Sequence, residues 1–183
     1  MLKYSEEDKK KLLILARKAI EEKFSGIKPG KLEAKKFSEK RGVFVTLNKN
    51  KELRGCIGFP YPYLPVQEAV ISAAKSAAFS DPRFFPVQEK ELKEIKMEIS
   101  ILTIPEKLNY KDEKDLLKKI NHNLGIIIKK GFYQAIYLPQ VWEQIPDKQQ
   151  FLSSLCMKAG LPSNSWKEKI EIYIYKVEKI KEN

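Results

Sequence analysis

Two segments of alternating apolar residues are each turned back on themselves by a short polar connection, and this restricts the chain to antiparallel sheet. In the first, Val43, Val45 and Leu47 alternate with Phe44 and Thr46. The turn Asn48-Lys49-Asn50-Lys51 then leads into a second strand, ELRGCIGF at 52–59. In the second, 124–128 and 132–138 flank Lys129-Lys130-Gly131. Connections this short join antiparallel neighbours, because a parallel pair needs a crossover of a dozen residues or more. Two further strands follow from the same period of two. Met97, Ile99, Ile101 and Thr103 alternate with Glu98, Ser100 and Leu102, and Ile170, Ile172 and Ile174 alternate with Tyr173, Tyr175 and Val177. The last run is apolar on both faces, which places it inside a sheet.

Helices lie between these strands. Ser5 with Asp8 three residues on predicts a capped helix with Leu12, Leu13, Ala16, Ile20 and Phe24 at helical spacing, ended by Gly26. Pro65 opens a second helix whose stripe Val66, Val70, Ala73 and Ala77 is small enough for close packing, and Asp81-Pro82 ends it. A short helical turn is expected after Pro86. A third helix begins at Asp112 with Leu116, Leu117 and Ile120 inward, and a fourth at Asp147, running through Phe151, Leu152, Leu155 and Cys156 to Gly160. Strands arriving as hairpins among helices give an α+β class with antiparallel sheets.

The chain has 183 residues, enough for a core without disulfides or metal. No stretch reaches the roughly 18 apolar residues of a membrane span, and the start MLKYSEEDKKK lacks a signal-peptide core. The expectation is a cytoplasmic protein with no membrane contact. Cys56 and Cys156 form no CxxC, and His122 is the single histidine, so no soft-metal ligand set is expected. No Gly-rich phosphate loop appears either, and no cofactor is expected.

The net charge of +11 raises the question of nucleic acid. Residues 1–41 carry thirteen Lys/Arg against seven Asp/Glu, and 111–183 carry thirteen against nine. The excess therefore lies towards the two ends. It is mostly lysine, with only Arg17, Arg41, Arg54 and Arg83 as arginines, so bidentate reading of bases and phosphates is scarce. Nucleic-acid binding ranks third among the readings, and a lysine-glutamate surface of the heat-adapted kind is the plainer one.

The stretch Leu53-Arg54-Gly55-Cys56-Ile57-Gly58 carries the candidate chemistry. Strand alternation puts Arg54, Cys56 and Gly58 on one face, and Leu53, Gly55, Ile57 and Phe59 on the other. Two glycines around one cysteine imply a bulge or a close approach by another element. Two readings stand open. Cys56 is a small buried hydrophobe and Arg54 an ion-paired residue, or the pair forms an electropositive pocket favouring a thiolate.

GVFVTLNKNKELRGCIG at 42–58, FSDPRF at 79–84, KMEISILT at 96–103 and LPQVWEQIPDKQQFLSSLCMKAGLP at 138–162 resemble the AMME syndrome candidate gene 1 protein family, the AMMECR-type domain. The resemblance implies one domain over 1–183, α+β and two-lobed: a larger and a smaller subdomain, antiparallel sheets flanked by helices, and the signature facing a cleft between the lobes. It also implies association of some relatives with Memo-type and radical-SAM proteins. This sequence departs from the family at Lys51, where glycine is common, at Phe85, where a second proline is common, and around His122.

Under that resemblance Cys56 and Arg54 are the catalytic candidates, with Glu98 a weaker one. Glu98 is solvated, paired with Arg54, or a base, and the ion pair is the preferred reading. Arg54, Gly55, Gly58 and Arg83 are the ligand-binding candidates, Arg83 as a second anion contact beside the turn-forming Asp81. His122 is expected to meet helix-terminal carbonyls, Cys156 to pack in the core, and Trp142 and Trp166 to pack against a lobe rather than mark a partner surface. The leading function is a small-ligand or cysteine-dependent catalytic cleft acting on an electrophilic or anionic molecule. The alternative is a protein-interaction module in which Cys56 is structural.

Overall fold

The computed structural model describes residues 4–182. The chain divides into two compact units, one of residues 1–104 with 178–183 and the other of Pro105–Val177.

The first unit is a four-stranded sheet with two long helices on one face. Helix α1 (Glu6–Ser25) starts in a reciprocal box: Ser5 Oγ accepts from the Asp8 backbone N–H while Asp8 accepts from that of Ser5. It ends at Gly26 in the left-handed region, φ 72°. Its buried side is Leu12, Leu15, Ala16, Ala19 and Ile20, which includes the expected Leu12, Ala16 and Ile20, while Leu13 and Phe24 are only half-buried. Strands β1 (Val43–Lys49) and β2 (Glu52–Phe59) form the expected hairpin. The turn is tighter than the four residues named from sequence: Lys49 pairs Glu52, leaving Asn50 and Lys51 at φ 54° and 68°. Two consecutive positive φ values match the right-handed twist of the strands. Lys51 holds the second of them with a side chain, in a conformation that glycine takes without strain.

Helix α2 (Val66–Phe79) presents the small stripe Val66, Val70, Ala73 and Ala77, all fully buried. Strand β3 (Ile95–Leu102) pairs antiparallel with β1. Val43, Val45, Leu47, Met97, Ile99 and Ile101 face the helices, and Phe44, Thr46, Asn48, Glu98 and Ser100 occupy the opposite face.

The second unit carries β4 (Glu106–Lys107), α3 (Glu113–Lys119), β5 (Gly125–Lys130), β6 (Tyr133–Tyr137), α4 (Lys148–Lys158) and β7 (Glu171–Tyr175). The sheet order β4-β7-β5-β6 gives β7 the interior place that its two apolar faces require. Trp142 stacks on Phe151 at 3.5 Å and its indole N–H donates to the Leu124 carbonyl, while the Trp166 N–H donates to Ser153 Oγ. Both tryptophans and Cys156 are core residues. After Lys176 the chain returns to the first sheet as β8 (Val177–Lys181), beside β3 in the order β2-β1-β3-β8. The sequence reading ran the last strand through Val177 and did not separate this return. Among the described residues no helix is long and apolar enough to cross a membrane.

Candidate functional site

The β1-β2 register shifts between Leu47 and Asn48: Leu47 pairs Gly55 but Asn48 pairs Leu53. Arg54 is therefore the extra residue of a β-bulge, and alternation breaks there. Leu53 does not join Ile57 and Phe59 against the helices; it lies opposite Asn48 on the other face, 43% exposed. Gly55 is buried where α2 crosses, and a Cβ on it would collide with the Ala77 carbonyl oxygen. The signature thus contains both devices its glycines suggest, a bulge and a close approach.

The bulge delivers Arg54 to Glu91. Arg54 Nε donates to Glu91 Oε1 and Nη2 to Oε2, each at 3.1 Å, in a two-pronged pair with both side chains mostly buried. Glu91 also accepts from the Gln88 backbone N–H, closing the short helical turn at Glu89–Glu91, and meets Lys49 at 3.4 Å. The Arg54 hydrogen bonds, outweighing desolvation, hold the Glu91 carboxyl at about 2. Glu98 is not the partner of Arg54. It pairs with Lys181 at 2.9 Å and Lys179 at 3.8 Å, because its place on β3 faces β8 across the sheet.

Cys56 is held through its backbone. Its N–H donates to Asp81 Oδ2 at 2.8 Å and its carbonyl accepts from Arg83 Nη2 at 3.2 Å. Arg83 in turn donates to Asp81 through Nε at 2.9 Å, Nη2 at 2.7 Å and its backbone N–H at 3.1 Å. The Arg83 hydrogen bonds, opposed by desolvation and helped by the N–H groups of Cys56 and Arg83, hold the buried Asp81 carboxyl well below the usual carboxylate range. Arg83 itself is half-exposed, and the Phe84 ring lies within 6 Å of both guanidinium carbons, at 5.9 Å from Arg54 and 5.5 Å from Arg83.

The thiol is half-buried and unoxidised, with Sγ 3.2 Å from Thr46 Oγ1. Thr46 pairs directly with Cys56 on one side and Glu98 on the other, so the three side chains form a row across β2, β1 and β3 on the face away from the helices. Gly58 lies in the neighbouring row, opposite Phe44. The structure thus groups Cys56, Arg83, Arg54 and Gly55 in one neighbourhood and places Glu98 in the register position beyond Thr46, paired with Lys181 and Lys179. Thr46, Asp81 and Glu91 carry the arrangement and are not among the expected site residues; Asp81 is legible in the sequence only as a turn former.

The remaining candidates belong to the second unit's packing. His122 Nε2 lies 3.1 Å from the Pro146 carbonyl and its ring stacks on Trp142, so it meets a loop carbonyl and not the end of α3. Burial pushes the Cys156 thiol up. Among the described residues no group of three or more His, Cys, Asp or Glu is placed to hold a metal ion.

The family model for AMMECR1 matches residues 13–180. The chain belongs to the AMMECR1 family. It is 44% identical over 185 aligned residues to Protein MK0488 of Methanopyrus kandleri, covering 93% of this chain and 86% of that one. It is 46% identical over 147 residues to Protein MJ0810 of Methanocaldococcus jannaschii, covering 78% and 73%. The crystal structure of protein PH0010 from Pyrococcus horikoshii has the same fold, with a TM-score of 0.83, 42% identity, and coverage of 94% of this chain and 90% of that one. As an AMMECR1 chain its α+β architecture with two antiparallel sheets is shared with that structure.

Proposed function

We propose that the outer face of the first sheet binds a small electrophile carrying an anionic group, with Cys56 as its nucleophile. The row Cys56, Thr46, Glu98 carries this reading. Cys56 gives up its proton to solvent, Thr46 Oγ1 at 3.2 Å donates a hydrogen bond to the resulting thiolate, and Glu98, next to Thr46 in register, holds Lys181 and Lys179 on the same face. The thiolate then forms a bond to the electrophilic carbon and the leaving group departs with the bonding pair. Asp81 and Arg83 fix the backbone on either side of the sulfur, so the thiol's position does not depend on its own contacts. Arg83, half-exposed, is the cation best placed to meet an anionic substituent, whereas both prongs of Arg54 are engaged by Glu91. Arg54 serves in this reading as a positioning residue that anchors the bulge.

Alkylation of a Cys156→Ala protein by iodoacetate and by iodoacetamide, followed by intact mass, tests the reading. Relative to free glutathione, Cys56 is expected to favour the anionic reagent, and Arg83→Gln to remove that preference while the neutral reagent still reacts. Equal preference in both proteins contradicts an anion subsite. A thiol protected from both reagents until unfolding makes Cys56 a packing residue and returns the interaction-module reading.

A further inference from the structure

A few basic residues from the two ends of the sequence and from its middle meet in space. A groove of about 670 Å³ runs between α1 and the strands β3 and β8 of the first unit. Lys9, Lys10 and Arg17 come from one stripe of α1, and Lys93 from the loop before β3. Lys96 on β3 and Lys179 and Lys181 on β8 reach it only at the rim, since they stand on the sheet face of Asn48 and Glu98, and the lining carboxylates are Glu6 and Glu182. Both carboxylates are already paired, Glu6 with Lys9 at 2.7 Å and Glu182 with Arg17 at 2.6 Å. The floor is aliphatic: Leu13 half-buried, Ile14 exposed at 54%, and Ile95 and Ile180 beneath. The same helix buries a different stripe in the core; Leu13 packs partly against that core and turns its other side to the groove, and Ile14 beside it is left exposed by the fold.

We infer that this groove docks an acidic amphipathic peptide segment of a partner protein, its carboxylates meeting the lysines and alternate apolar side chains lying on Leu13 and Ile14. Charge complementarity selects the sign of the occupant. The aliphatic floor selects its other face. A nucleic acid fits less well, since the groove offers no aromatic ring for stacking bases, and its arginine is occupied by Glu182 and by the carbonyls of Leu92 and Ile95. From Glu6 to Arg17 the helix stripe spans three turns, about 16 Å, the length of roughly five extended residues. The groove is separate from the Cys56 row except where Lys179 and Lys181 touch Glu98, so those two lysines are left unaltered in the test.

The test is fluorescence anisotropy of a short fluorescein-labelled peptide in which Glu and Leu alternate, titrated with the whole protein at low and moderate salt. Saturable binding is expected, weakened roughly tenfold or more when Lys10→Glu and Lys93→Glu are combined, since reversing rim charges replaces attraction with repulsion. Ile14→Ser, at an exposed position that the fold tolerates, is expected to weaken the alternating peptide while leaving an all-Glu peptide unchanged. The inference is overturned if the alternating peptide does not bind, or if neither set of substitutions alters its affinity. It is equally overturned if single-stranded DNA or the all-Glu peptide of equal charge binds as tightly, which would make the groove a general polyanion surface. Circular dichroism of each variant confirms that the fold is retained.

Discussion

Replacing Glu91 with Gln removes one charge from the pair that anchors the bulged Arg54 and keeps an oxygen for the Gln88 N–H. The Glu91 carboxyl sits at about 2 where 4.5 is ordinary. Each pH unit of displacement is worth about 1.4 kcal/mol, so the contacts of the ionised Glu91, Arg54 first with the Gln88 N–H and Lys49 beside it, together contribute on the order of 3 kcal/mol at neutral pH. The sign follows from the depressed folded value. The stabilisation is complete above the unfolded value, is lost as pH falls from there towards 2, and is absent below it. Wild type and Glu91→Gln should therefore differ by about 3 kcal/mol at pH 7, a urea midpoint shift near 1.5 M for a slope of about 2 kcal/mol/M, and converge only below about pH 2. Both tryptophans belong to the second unit, so far-UV circular dichroism is the suitable probe and tryptophan fluorescence is not. A difference that stays constant from neutral pH to below pH 3 would refute the ion pair as its source.

Three other substitutions follow from the geometry. Lys51→Gly should raise stability by about 0.5–1 kcal/mol in urea denaturation, because relief of a left-handed side chain exceeds the added unfolded-chain entropy. Gly55→Ala should cost about 2–3 kcal/mol or more by the same measurement, since its Cβ meets backbone of α2 that has no rotamer to yield. Asp81→Asn should lower the thermal midpoint, at a cost of about 2–3 kcal/mol, by leaving the Arg83 and Cys56 donors facing a weaker acceptor.

Local chemistry in the sequence reached far. Ser5 and Asp8 announced the α1 box, the period of two announced both hairpins, and the inward stripe of α4 placed Cys156 in the core. What escaped was long-range. The bulge at Arg54 is set by the crossing of α2 over Gly55, and two glycines alone do not say which residue is extra. Arg54 finds Glu91 and Cys56 finds Asp81 across 37 and 25 residues, separations at which spacing carries no pairing information. Glu98 took lysines from β8, a five-residue strand that the sequence reading had joined to its predecessor. The same return of β8 brings Lys179 and Lys181 beside the α1 groove.

The most direct test of the Cys56 row is the alkylation rate of native Cys156→Ala protein at neutral pH, alone and with Thr46→Val, Glu98→Gln, and both. If the row acts as described, Cys56 reacts in the folded protein, Thr46→Val slows it by removing the hydroxyl that stabilises the thiolate, and Glu98→Gln, whose carboxylate is held by Lys181 and Lys179, changes it less. Cys56 reacting at the same rate in all four proteins, or only after unfolding, would contradict the account.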